Sequence, residues 1–174
     1  MDENFAHAMA SLTTGIYVLT VRENGRGHGM SSSWVTQVSG EPLLFTAAVD
    51  NGHFSNAVIS RTGAFGLNIV GRRGRSLEDF FYSSQARRED NLEQFEYELS
   101  PALQVPWLKL AMASIEARVV DRIVAGDHTI FVASPVGVRV GDREANDRPL
   151  TSLELDYVYL GGKEVLARNR TGWD

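Results

Sequence analysis

The chain has 174 residues, 43% of them hydrophobic, and a formal net charge of −5. That favours one domain with one packed core, residues 1–174, and argues against a disordered chain or a general nucleic-acid binder, which needs basic patches. The absence of cysteine excludes disulfides, thiolate catalysis and Cys-ligated zinc or iron–sulfur sites, and no metal site is expected; with no apolar run of roughly eighteen residues and an acidic start unlike a signal peptide, the expectation is a cytoplasmic protein that does not enter a membrane.

Residues 2–12 predict a short amphipathic helix. Asp2 caps it, and Phe5, Met9 and Leu12 recur on one face at i, i+4 and i+7. Such a helix would cover a barrel end or pack on a partner chain. Residues 15–22 are rich in β-branched and aromatic side chains and predict a strand, and Asn24-Gly25 is a strong hairpin signal because both residues accept positive φ. The returning strand carries His28 and three consecutive serines, Ser31, Ser32 and Ser33, followed by Trp34, and the run Ser39-Gly40-Glu41-Pro42 breaks it. Three small hydroxyls in a row suit a backbone that a polar ligand approaches, and a tryptophan offers a flat surface for a ring. The same residues also suit a solvated strand edge with a core tryptophan.

Residues 43–49 are almost wholly apolar, as in a strand buried on both faces. A polar turn at Asp50-Asn51-Gly52-His53 leads to a short helix over 54–61, then a strand over 64–70, a basic loop Gly71-Arg72-Arg73-Gly74-Arg75, and a helix that starts at Ser76 with Glu78 and Asp79 in its first turn. Phe80, Phe81 and Tyr82 follow, either shielding a ring or anchoring the helix. Residues 83–107 are irregular and predict a lid or excursion containing short helical turns. From residue 109 the pattern is β again, with Ala113, Ile115, Ala117 and Val119 alternating against Ser114, Glu116, Arg118 and Val120. Ala125-Gly126-Asp127 turns the chain into a long strand over 128–140. Residues 150–153 predict a last edge strand, and 156–174, with Gly161-Gly162, Arg168, Arg170 and Trp173, an extended tail. About six antiparallel strands with a few short helices fit a small all-β barrel.

Two motifs carry a resemblance. Gly29-Met30-Ser31-Ser32-Ser33-Trp34-Val35-Thr36-Gln37-Val38-Ser39-Gly40-Glu41-Pro42 resembles the second strand of the flavin reductase-like, FMN-binding split-barrel family, and looks most like the flavin reductase domains attached to some flavodiiron proteins. Gly126-Asp127-His128-Thr129-Ile130-Phe131-Val132 resembles that family's Gly-Asp-His-x-Ile-Phe-Val-Gly. The resemblance runs from about Phe5 to Val140, and Ala64-Phe65-Gly66-Leu67-Asn68-Ile69-Val70 is also family-like, with Asn68 in a structural role.

The resemblance implies a six-stranded antiparallel split β-barrel that forms a homodimer, with FMN, or FAD, in a groove between the serine strand and the 50–56 turn. It implies flavin contacts at Ser31, Ser32, Ser33 and Trp34, at the backbone of Ala48, Val49 and Asp50, and at Phe80 and Phe81. The family's phosphate-binding Ser-Arg-Thr is replaced here by His53-Phe54-Ser55-Asn56, which leaves the helix N-terminus, His53 and Ser55 for the phosphate, with an arginine borrowed from residues 72–75. It places His128 beside a reduced nicotinamide, NADH or NADPH, whose hydride passes to flavin N5. The implied activity is an NAD(P)H-dependent flavin reductase that supplies reduced flavin or electrons to an oxygenase or another acceptor protein. An FMN-holding electron carrier reduced by a protein partner, and a flavin-free binding barrel, are the alternatives.

Overall fold

The Asn24-Gly25 turn is built as its residues dictate. Both have positive φ, 52° and 81°, and they join β1 (Tyr17–Glu23) to β2 (Arg26–Ser32) as an antiparallel hairpin in which Val21 faces His28. The computed structural model describes residues 2–88, 90–142, 147–161 and 164–167. The remaining strands of the main sheet are β3 (Val35–Gly40), β4 (Leu43–Asp50), β5 (Ala64–Ile69), β8 (Ala113–Ala125) and β9 (His128–Val140), with the short pairs β6 (Tyr97–Leu99) with β7 (Pro106–Leu108) and β10 (Tyr157–Gly161) with β11 (Glu164–Ala167) outside it. The helices are α1 (Glu3–Ala10), α2 (Phe54–Thr62) and α3 (Arg75–Phe81).

The main sheet has seven strands in the order β2-β1-β5-β8-β9-β4-β3, one more than the six expected. The extra strand arises because the segment after His28 is not one continuous strand. β2 ends at Ser32 and pairs with β1 at one edge of the sheet, while β3 begins at Val35 and pairs with β4 at the other. Ser33 and Trp34 carry the chain across. Two edge strands separated by two residues must approach each other, so the sheet curls back on itself and splits where they meet.

The sheet packs on both faces. Leu19, Val21, Ala47, Val49, Phe65, Phe131 and Ala133 form one core with Val58 and Ile59 of α2. Val18, Val70, Leu77, Phe81, Leu92 and Leu108 form a second core beneath α3 and the excursion that follows it. The first half of β8 is covered on both faces: Ser114 and Glu116 are buried along with Ala117, while Ala113 and Ile115 are half-buried. Ser114 donates to Asn68 Oδ1 at 2.8 Å, and Glu116 accepts the amides of Ala102 and Leu103 at 3.1 and 2.8 Å. Asn68 in turn bonds the Val18 carbonyl, Thr20 and the Leu108 amide, which makes it a structural residue with its donors and acceptors satisfied.

Other boundaries differ locally. α3 begins at Arg75 with Gly74 as its cap, so Ser76 lies inside the helix. Residues 149 and 151 form isolated bridges, to Gly71 and Gly15, and a 3-10 turn at Ser152–Glu154 stands where an edge strand was expected. The expected tail contains the β10–β11 hairpin; Gly162, Arg168, Arg170 and Trp173 lie outside the described residues.

Candidate active site

The edge crossing at Ser33 and Trp34 opens a cavity of about 670 Å³, within the range of small-molecule sites. Ser31, Ser32, Ser33 and Trp34 line one wall, Ala48 and Asp50 of β4 continue it, and His128 stands at the start of β9 directly across the ladder from Asp50. Strand alternation decides which β4 side chains arrive there. Ala48 and Asp50 face the cavity, whereas Val49 points into the core, fully buried.

The aromatic end is formed by Trp34, His128 and Tyr159. The Trp34 ring lies 4.7 Å from the His128 ring and 5.3 Å from Tyr159. Gly126 takes φ 63°, which turns the chain so that Asp127 sits beside the histidine it precedes. His128 Nδ1 and Asp127 Oδ1 are 2.7 Å apart. The bond from His128 holds the Asp127 carboxyl below its ordinary range; ionised Asp127 is acceptor-only, so Nδ1 carries the proton and the ring orientation is set. His128 is 5% exposed.

In the middle of the cavity, Ser31 Oγ donates to Glu78 Oε2 at 2.5 Å and the Tyr157 hydroxyl donates to Glu78 Oε1 at 2.6 Å. Glu78 is 2% exposed, and burial pushes its carboxyl above the usual range against the pull of these two bonds. Tyr157 stacks on Tyr82 at 4.1 Å. Burial and the adjacent Glu78 raise the Tyr157 hydroxyl further, so it stays protonated and remains the donor.

At the third position His53 caps α2. Its Nδ1 accepts the Ser55 amide at 3.1 Å, and its carbonyl accepts the Asn56 amide at 3.0 Å. The ring is therefore a neutral donor at Nε2. Burial, then the neighbouring His28 ring 5.5 Å away, lowers its pKa from 6.5 to about 4. Two first-turn amides expected to meet a phosphate are thus engaged within the helix cap. Two of the three arginines of residues 72–75 are engaged elsewhere: Arg72 pairs with Glu154 at 2.5 Å, and Arg75 bonds the Glu154 carbonyl at 2.9 Å. Among the described lining residues the arginine is Arg87.

Of the residues singled out from sequence, Ser31, Ser32, Ser33, Trp34, Ala48 and Asp50 line the cavity, as do His53, Phe81 and His128. Four do not. Val49 faces the core and its carbonyl accepts from Asn56 at 3.0 Å. Phe54 packs on the first core and on His28. Ser55 is fully buried, with no hydrogen-bond partner for its hydroxyl. Phe80 packs edge-on against Phe81 and Phe95, which makes it an anchor. Sequence reasoning missed Glu78, Arg87, Tyr157 and Tyr159. Glu78 carries a usable signal, since Leu77 and Phe81 mark the buried face of α3 and Glu78 lies beside them.

Among described residues no group of three or more His, Asp or Glu is placed to hold a metal ion. Residues 9–161 match the flavin reductase like domain family. The NADH-dependent flavin reductase StyB of Pseudomonas fluorescens is 30% identical over 74% of this chain and 73% of its own length. A diflavin flavoprotein of Nostoc sp. is 29% identical over 79% of this chain but only 24% of that longer protein. The solved styrene monooxygenase flavin reductase from Pseudomonas putida S12 superposes with a TM-score of 0.73 at 28% identity, covering 85% of this chain and 91% of that one. With a match across most of its length and the split sheet that the resemblance implied, the chain belongs to the flavin reductase like domain family.

Proposed function

We infer that the chain, acting as a single unit over residues 1–174, is an NAD(P)H-dependent flavin reductase. The observation that carries this reading is the cavity at the Ser33–Trp34 crossing, which sets a flat indole and an oriented histidine at one end and hydroxyls at its middle. A flavin is a flat ring bearing a polyhydroxyl chain, and these surfaces match its two halves. FMN, or FAD, is the flavin of this reading, and NADH or NADPH the reductant. Bound flavin supplies the acceptor for a hydride from the reduced nicotinamide.

The chain's own residues do the holding and aligning. Trp34 bears a ring face, and the serine hydroxyls and small side chains of β2 admit polar groups close to the backbone. His128, held by Asp127, positions the nicotinamide amide or ribose. Hydride transfer needs no general base, so alignment and water exclusion are the work required of these groups. Exposed Met9 and Leu12 at the cavity margin, with Phe5 and the exposed valines of β8 and β9 such as Val124 and Val138, support a homodimer. Reduced flavin, or its electrons, passes to an oxygenase or another acceptor protein, a role that the styrene monooxygenase reductase bears in its name. A cytoplasmic location goes with the use of reduced nicotinamide; no described helix is long and apolar enough to cross a membrane.

The test is the absorbance spectrum of the purified protein mixed with FMN, followed by anaerobic NADH and then NADPH. A bound flavin that bleaches with either nucleotide is the expected result. A bound flavin that stays oxidised with both would make the protein an electron carrier, and failure to bind FMN would leave a flavin-free barrel.

A further inference from the structure

We propose that Glu78 recognises the hydroxylated side chain of the flavin, accepting hydrogen bonds from its hydroxyl groups. The proposal rests on the flavin reading above. Burying a carboxylate costs several kcal/mol unless its charge is compensated, so a glutamate that is 2% exposed calls for a purpose. The other buried glutamate among the described residues has one: Glu116 of β8 anchors the turn before β7 through two backbone amides and does not line the cavity. Glu78 differs on both counts. Its hydrogen bonds come from the hydroxyls of Ser31 and Tyr157, and all three residues line the cavity.

The geometry of the carboxylate leaves room for a ligand. An ionised carboxylate offers about four acceptor positions. Ser31 uses one on Oε2 and Tyr157 one on Oε1, so each oxygen keeps acceptor capacity. What meets it must donate.

Register along β2 says which part of a flavin that is. Ser31, which donates to Glu78, lines the cavity with Ser32 and Ser33. It lies three residues before Trp34, which meets His128 and Tyr159. Tyr157 and Tyr159, two residues apart on β10, meet Glu78 and Trp34 respectively, so Glu78 sits beside the aromatic end. A flavin with its ring on Trp34 brings the polyhydroxyl chain attached to that ring to Glu78.

Riboflavin and lumiflavin share the ring and differ in that chain, so their binding separates recognition from support. Dissociation constants for both are measured by quenching of flavin fluorescence, on wild type and on Glu78→Gln, with far-UV circular dichroism to check the fold. Wild type is expected to bind riboflavin at least about tenfold tighter than lumiflavin, the worth of a hydrogen bond to a charged group. Glu78→Gln is expected to weaken riboflavin by about that factor and to leave lumiflavin within about twofold. Equal weakening of both ligands would make Glu78 only a latch between α3 and β10 and overturn the proposal; so would an unchanged ratio. If the variant does not fold, wild type alone decides, because equal affinity for the two ligands also overturns it. Wild type that binds neither ligand rejects the flavin reading itself, whereas binding both with no dependence on the chain rejects only the role of Glu78.

Discussion

The wall of the cavity is made by paired strands, whereas part of its cover comes from α1 and β10, which stand outside the main sheet. Behind the wall, Ala47, Val49, Phe131 and Ala133 are all fully buried, and each strand is fixed by ladder bonds on its neighbours. On the cover, Met9 is 50% and Leu12 59% exposed, and Tyr157 and Tyr159 reach the site from a two-stranded hairpin outside the main sheet. Regions with few buried contacts open at lower free energy than core strands. The difference separates a wall fixed by ladder bonds from a cover with fewer buried contacts; under the function proposed above, the wall would bear the flavin ring and the cover would yield to admit the ligands.

The largest test of that division is stability. Phe131→Ala behind the wall should cost about 3–5 kcal/mol by the cavity it leaves, and Tyr159→Ala in the cover less than about 1 kcal/mol, both read from urea unfolding. Similar losses for the two would mean that the cover is part of the core. A binding effect follows. Ser33→Leu places a branched side chain at the crossing and should weaken FMN by at least about tenfold through overpacking, with the unfolding midpoint close to wild type; full FMN loading would place the flavin elsewhere.

His128→Ala separates functions within the wall. NADH KM should rise about tenfold while the FMN dissociation constant stays within about twofold, the pattern of a lost contact to one ligand only. An unchanged KM would remove the nicotinamide assignment. A last effect appears only in acid. His53 is held neutral in the folded chain, titrating at about 4 in place of 6.5. Between those values the unfolded chain takes up a proton that the folded chain refuses, so stability is lost as pH falls from about 6.5 toward about 4. His53→Gln should flatten the dependence of the urea midpoint on pH in that window; an unaltered profile would mean that the ring is not held neutral.

Where structure depends on neighbours in the chain, the residues alone were sufficient. Asn24-Gly25 and Gly126 need positive φ, and the turns stand where those residues are. The apolar run of β4 and the Gly-Asp-His start of β9 bring Ala48, Asp50 and His128 to one face, because alternation along a strand is local. What covers each face is not local. The partition of the serine strand at Ser33 and Trp34 follows from pairing with β1 on one side and β4 on the other. The burial of Glu116 follows from the excursion, whose Ala102 and Leu103 amides it accepts. Glu78 has the composition of a solvated first-turn acid, and only the approach of Ser31 and Tyr157, 47 and 79 residues away in the chain, turns it into a buried acceptor. The sequence by itself determined the Asn24-Gly25 and Gly126 turns and the alternation that puts Ala48 and Asp50 on the cavity face, because those rest on dihedral preference and period; the tertiary structure alone decided where the serine strand divides, the cover and the charge inside the cavity, because pairing and desolvation depend on which distant segments arrive.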